Sequence, residues 1–309
     1  MHKTGVLFCL ASAAAFGAMA VLGKLAYIEG ATVGTLLATR FVLAAAVLWV
    51  ILGCTGRLRA LRTLTPRDAC IAVALGAVGY SAQAGAAFAA LERVDASLLW
   101  LIIYTYPVMV TVAAIALRRD PPSRRTAMAL ALASTGLVLV LAGAASGALD
   151  PLGTALGLAA ALLCSAYILV STGVAARVEP LVLATLVCTG AALTLTLGGL
   201  AGDDLDPGSV SATGFACLGG LAVLSTVGAL ALFFAGLRRV GPTAASILST
   251  LEPVVTVVLA FLAFGESLGP AQLAGAALVL AAVLAVRAPR LPSVPRLGWI
   301  PQPAFEEEA

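Results

Sequence analysis

The sequence predicts an all-α membrane protein with ten transmembrane helices arranged as two inverted five-helix repeats. Three observations lead there: a composition too apolar for a water-soluble core, ten hydrophobic runs of membrane length, and a pattern of Phe, Arg and Pro that recurs at one fixed offset.

Hydrophobic residues make up 61% of the 309, and charged residues only 11%. A soluble domain carries about 45–50% apolar and about 25% charged residues. With a mean hydropathy of +1.07, the excess apolar surface needs lipid as its solvent. The net charge of +3 is small and points to no nucleic-acid partner. Six cysteines are scattered through or beside apolar runs with no regular spacing, which argues against a disulfide framework or a zinc site. The one histidine is His2, at the N-terminus, so histidine-based catalysis and metal ligation find no residue inside the spans.

A helix needs about 20 mostly apolar residues to cross the hydrocarbon core. Runs of that kind lie near 5–27, 34–53, 69–91, 96–117, 126–145, 152–174, 181–201, 212–236, 243–264 and 269–287. The first is long enough to span, so it is read as a helix and not as a signal peptide. The connections are short and leave no room for a soluble domain. Residues 289–309 are rich in Pro, end in Glu306, Glu307 and Glu308, and are expected to form a disordered cytoplasmic tail.

Basic residues collect on the cytoplasmic side of membrane proteins. With the N-terminus inside and ten alternating spans, 15 of the 18 Lys and Arg residues fall inside, from Lys3 to Arg296. Arg93 falls outside, as do Asp203, Asp204 and Asp206, while Lys24 and Arg40 lie within the first two spans. A multi-pass protein of the plasma membrane with both termini cytoplasmic is the expectation.

Phe88-Ala89-x-Leu91-x-Arg93-Val94 aligns with Phe234-Ala235-x-Leu237-x-Arg239-Val240, Pro107-Val108 with Pro253-Val254, and Asp120 with Glu266, all at an offset of 146. The expected division is 1–146, 147–288 and the tail. Five spans per half force the second half to enter the membrane upside down. Inverted repeats are a common architecture of secondary transporters, with the site near the midplane between the halves.

The stretch Gly236-Leu237-Arg238-Arg239-Val240-Gly241-Pro242-Thr243-Ala244-Ala245, with Leu251-Glu252-Pro253-Val254 and Phe264-Gly265-Glu266, resembles the second repeat of the EamA-like branch of the drug/metabolite transporter superfamily. Lys24 and Arg40-Phe41 fit the first repeat; Arg119-Asp120 departs from the family's Gly-Glu after the fourth span. The resemblance implies a ten-helix permease or exporter of small metabolites.

A charge at helix centre costs roughly 2.5–3.5 kcal/mol on insertion scales, so it faces a cavity or a partner. Glu252 is the deepest, ten residues into the ninth span, and is read either as a substrate or proton site or as a structural, neutral group. Pro253 after it removes a backbone donor and is expected to kink the helix, freeing the Ser249 carbonyl; Pro107 is the matching hinge candidate. Arg40 and Lys24 either snorkel to the headgroups or pair, Arg40 with a substrate carboxylate or an acid across the cavity. Glu266, at the outer end of the ninth span, is read as a capping or solvated group. Polar and aromatic candidates for the cavity wall are Trp100 and Tyr104, which share a helix face, Tyr106, Tyr80 with Gln83, Ser225 with Thr226, and Ser165 with Tyr167. Gly153 and Gly157 form a G-x-x-x-G that serves packing in the bundle or a dimer contact.

No Walker A motif is present, since the Gly17-to-Lys24 stretch has the wrong gap and ends in Leu25. No cofactor is implied, and energy would come from a substrate, proton or ion gradient. The partners expected are a small-molecule substrate and the lipid bilayer, with the chain as monomer or homodimer. Two rivals stand beside a carrier. An intramembrane enzyme lacks a nucleophile–base pair, an acid pair on one face or a metal set; a non-transporting receptor or assembly subunit leaves the inverted repeat without a use.

Overall fold

The computed structural model describes residues 3–91, 93–94, 96–142, 150–264 and 269–287. His2, Glu266, the expected 146/147 boundary and the tail 289–309 lie outside the described residues.

The helices are α1 (Lys3–Ile28), α2 (Val33–Cys54), α3 (Pro66–Leu91), α4 in two pieces, α4a (Ala96–Ile103) and α4b (Tyr106–Ala116), α5 (Arg124–Ala142), α6 (Pro151–Ala175), α7 (Pro180–Ala201), α8 (Ala212–Val240), α9 in two pieces, α9a (Pro242–Ser249) and α9b (Leu251–Phe264), and α10 (Pro270–Arg287). Among the described residues, nine spans are long and apolar enough to cross a bilayer, and the tenth, within α10, falls just short at Pro270–Val286.

Local chemistry sets these ends. The Thr65 hydroxyl accepts the Asp68 N–H at the start of α3, and the Ser211 hydroxyl accepts the Gly214 N–H at the start of α8. Thr65 and Ser211 are themselves 146 apart, so the repeat extends to its helix caps.

Packing follows the same exchange symmetry. α1 packs against α8 and α9, and α6 packs against α3 and α4. α2 packs against α8, and α7 against α3. Three pairs, α2 with α7, α4b with α9a and α5 with α10, join a helix to its own counterpart. Each half therefore lends its first helix to the other, and neither half buries its faces alone.

Small residues let backbones approach where side chains would not. A Cβ on Gly76 of α3 would lie 1.9 Å from the Val187 carbonyl oxygen, and one on Gly190 of α7 would lie 2.1 Å from the Val73 carbonyl oxygen. Gly153 and Gly157 press on Val94 and on Leu99 and Ile102, which places that G-x-x-x-G inside the bundle.

The loops at the two ends of the α2–α7 pair are tied across the halves. On one side, the α1–α2 connection meets the α7–α8 connection: Thr32 Oγ1 donates to the Asp204 carbonyl (2.6 Å), Gly34 N–H to Asp204 Oδ2 (2.6 Å) and Asp206 N–H to Thr35 Oγ1 (2.8 Å). On the arginine-rich side, the α6–α7 connection meets the α2–α3 connection and the start of α3. There Arg177 grips Asp68 with Nη2 at 2.6 Å and Nε at 3.1 Å, and Arg57 pairs with Glu179. The repeat thus places a hydroxyl-and-backbone tie at one end and an ionic tie at the other.

Two outcomes test this packing. Gly76→Ala or Gly190→Ala should lose about 1–3 kcal/mol through overpacking, read as a lowered melting temperature in detergent; Gly53→Ala, with nothing within 4 Å of its Cβ, should not. Thr32→Val with Asp204→Ala removes two of the loop ties and should lose about 1–3 kcal/mol, read the same way; an unchanged melting temperature would refute the loop contact.

Candidate functional site

The site is built where four helices lose regularity. In α3, residues Leu75–Tyr80 form a π-helical turn, and in α8 residues Val223–Gly228 do the same. Such turns carry one extra residue, are uncommon, and frequently mark functional sites. Here a hydroxyl braces each: Ser81 Oγ donates to the Gly76 carbonyl (3.2 Å) and Thr226 Oγ1 to the Leu221 carbonyl (3.1 Å), both five residues back.

α4 and α9 are broken outright, and in the same way. Thr105 Oγ1 donates to the Ile102 carbonyl at 2.8 Å, and Thr250 Oγ1 to the Ile247 carbonyl at 2.6 Å. A threonine hydroxyl competing for a carbonyl three residues back tightens the turn and ends the first helical piece. The break falls at Thr250, and Pro253, like Pro107 in α4b, stands in the first turn of the following piece. Each proline withholds the N–H that would have bonded the carbonyl four residues back, Ser249 and Ile103, and those residues end α9a and α4a, so each interruption opens at the carbonyl its proline leaves unpaired. Ser165 of α6 supports the other break, its Oγ reaching the Tyr106 carbonyl at 3.3 Å.

These irregularities gather the candidate residues into two groups. In the first, Arg40 of α2 is 2% exposed, which rules out snorkelling to the headgroups. Its Nε donates to Thr226 Oγ1 at 2.7 Å, Nη1 approaches the Met19 sulfur at 2.8 Å, and its Cζ lies 4.9 Å from the Phe41 ring centre and 5.9 Å from that of Tyr80. Tyr80 stands edge-on to Phe41 at 4.7 Å. Ser225, beside Thr226, is fully buried.

The second group surrounds Glu252, the second residue of α9b. Its carboxyl faces the Tyr104 phenol, and the charge of Arg40 reaches it from across the bundle. Tyr106, first residue of α4b, stands near Ser249, the last of α9a. The Tyr104 ring lies 5.8 Å from Tyr106 and 6.2 Å from Trp100. Cys164 of α6 adjoins both Glu252 and Tyr106. Glu252 lies ten residues into α9 and Tyr104 eight into α4, so at 1.5 Å per residue each is about 12–15 Å deep, near the middle of a 30 Å hydrocarbon core.

Tyr167 of α6 stands between the groups, its phenol near Tyr80 and Cys164 and its ring 6.5 Å from Phe234. Two candidates stay apart. Lys24 is exposed, with Nζ 4.1 Å over the Phe264 ring, and Gln83 is half-buried one turn beyond Tyr80. Phe41, Met19 and Cys164 were not among the expected site residues. A Met and a Cys in an apolar run look like ordinary core, and only the fold shows that they touch charge.

On the arginine-rich side, a cleft of about 120 Å³ opens between α4b and α5 on one hand and α8, α9a and α10 on the other. Thr111, Asp120, Arg125, Thr243 and Ile247 line it. Thr111 is five residues from Tyr106, and Ile247 five from Glu252, so the cleft points along the α4b–α9a contact toward the second group. Among the described residues no set of three His, Cys, Asp or Glu could hold a metal.

Comparison with known proteins bears on the whole of this arrangement. One of 29 solved chains that match superposes at a TM-score of 0.79 over 93% of this chain and 97% of its own, at 18% identity, a likeness of fold. No curated protein matches by sequence. The EamA-like transporter family matches residues 3–142 and again residues 151–288. Those two matches take in nearly every element described above, and the chain therefore belongs to the EamA-like transporter family, membrane proteins that move small solutes.

Proposed function

We propose that the chain is a secondary-active or facilitative carrier of a small organic metabolite, such as an amino acid, a related metabolite or a drug-like solute, working outward by alternating access. The observation that carries this reading is the paired break of α4 and α9. The two broken helices meet at mid-membrane, each turned by a threonine hydroxyl, with Tyr106 and Glu252 at matching places 146 residues apart. A repeat whose two copies have the same weak point and opposite orientation can exchange their shapes, which moves the opening from one side of the membrane to the other.

The rest of the geometry supports the same reading. α5–α10 and α2–α7 are continuous seams at the two edges, and the α2–α7 seam is tied at both ends. On the arginine-rich side the ionic tie and the cleft exist together, so access in this state runs beside α4b and α9a. The excess of Arg in the connections after α2, α4 and α8 supports a cytoplasmic position for that side in a plasma-membrane protein, with both termini inside. The cleft is then the cytoplasmic entrance, and Tyr104, Tyr106, Trp100, Ser249 and Glu252 line the path that substrate takes into the bundle. Glu252 holds a carboxylate in low dielectric beside a phenol, so it takes up or releases a proton, or meets a cationic group of the solute, as the path is occupied.

The rival readings lack such support. Neither an enzyme nor a receptor has a use for inverted repeats with matching weak points.

Cells lacking the chain and cells overexpressing it should differ in the small organic solutes of their medium. Glu252→Gln removes the charge on the path and with it a charge-assisted contact to proton or solute of about 1.5–3 kcal/mol. Transport should fall roughly ten- to a hundredfold at unchanged abundance in the membrane, with a flattened dependence on pH. A medium that never depends on the chain would remove the carrier reading.

A further inference from the structure

A guanidinium withdrawn from both water and headgroups needs an anion, because an uncompensated charge inside the bilayer is costly. Arg40 does not have one at hand. Among the described residues no carboxylate lies within 4.0 Å of it, Nε and Nη1 are spent on a hydroxyl and a thioether, and Nη2 has no hydrogen-bond partner. The charged or titratable groups facing it are Glu252 from α9, Tyr27 from α1, Cys188 from α7 and Tyr80 from α3. Glu252 acts only at longer range and faces Tyr104.

A second buried donor lies in the same turn of α8 that holds Arg40. Ser225 Oγ is fully buried and also lacks a partner, although its neighbour Thr226 holds Arg40. Both belong to the π-helical turn of α8, where the extra residue turns two successive hydroxyls into the bundle. The repeat adds a third feature. Tyr80 and Thr226, which flank Arg40 from α3 and α8, are 146 apart, so the two halves present the same position to a single guanidinium. A group shared in this way stays in contact with whichever half has moved.

We propose that Arg40 is the anion pole of the substrate site, and that the solute carries a carboxylate or an equivalent singly charged anionic group. One oxygen of that group accepts from Arg40 Nη2 and the other from Ser225 Oγ, while the Tyr80 and Phe41 rings wall off water. Glu252 at the opposite pole rejects a second anionic group and favours a hydrogen-bond donor or a cation there. The chain therefore selects monoanionic or zwitterionic small solutes over dianions and over neutral or purely cationic ones. This inference rests on the carrier reading above.

The test is an untargeted comparison of the medium of cells that carry the wild-type chain, Arg40→Lys, Arg40→Gln or no chain, at matched abundance in the membrane and with melting profiles recorded in detergent. Every solute moved by the wild type should bear a group that is anionic at pH 7. Arg40→Gln should lower its export roughly tenfold or more, the loss of a charge-assisted contact, and Arg40→Lys should keep more of it than Arg40→Gln. Neutral or purely cationic solutes moved by the wild type would overturn the proposal and leave the carrier reading intact. Undiminished export by Arg40→Gln, or an equal loss in both variants, would overturn it as well. Should Arg40→Gln fail to fold, the chemical class of the wild-type solutes decides by itself. A wild type that moves nothing would end the carrier reading, and this one with it.

Discussion

Two charges inside the membrane, each facing the opposite repeat, are the constraint around which the rest is arranged. Arg40 belongs to the first half and is held by Thr226 of the second. Glu252 belongs to the second half and faces Tyr104 of the first. Neither half surrounds its own charge alone, just as neither can cover its own first helix. Separating the halves would leave a charge in hydrocarbon and bare the faces of α1 and α6 together, so assembly and site formation are one event.

That coupling explains why irregular helix is concentrated where it is. A regular helix offers no spare backbone groups, and in lipid none can be left unsatisfied. Turns that must bend around a polar path therefore carry their own hydroxyls: Ser81 and Thr226 in the widened turns, Thr105 and Thr250 at the breaks. Away from the path, the chain does the opposite. Gly76 against Val187 and Gly190 against Val73 bring α3 and α7 to backbone contact, and Gly136 against Gly275 does so for α5 and α10. Tight glycine seams flank a hydroxyl-lined, deformable middle, and ties between connecting loops close the ends of one seam. Rigid edges around a bendable centre are what a carrier needs in order to move its opening without coming apart.

Much of this was legible in the residues. Apolar runs of membrane length mark the spans, and Phe, Arg and Pro at a common offset reveal the repeat, because those types are scarce in an Ala- and Leu-rich chain. Glu252 stands out because a carboxylate in the middle of a span is expensive. The reading of Arg40 stayed divided between snorkelling and binding, since depth along one helix does not say which way a long side chain turns; only the position of Thr226 settles that. Pro253 marks the break, because the N–H it lacks would have bonded Ser249, the last residue of α9a; the part Thr250 plays is not legible, since threonine is abundant in these spans. The π-helical turns, the thioether of Met19 and the place of Cys164 leave no periodic signal at all, because each depends on contacts between helices far apart in the chain.

The central claim is that the two halves exchange shapes. Distances between spin labels in the lipid-reconstituted protein test it most directly, with one pair at Ser123 and Arg239 across the cleft and the equivalent pair, 146 residues along, at Gly269 and Arg93 on the other side. The account predicts two populations for each pair, with one distance lengthening as the other shortens when pH or solute is changed. A single fixed distance for both pairs under conditions where transport proceeds would contradict it.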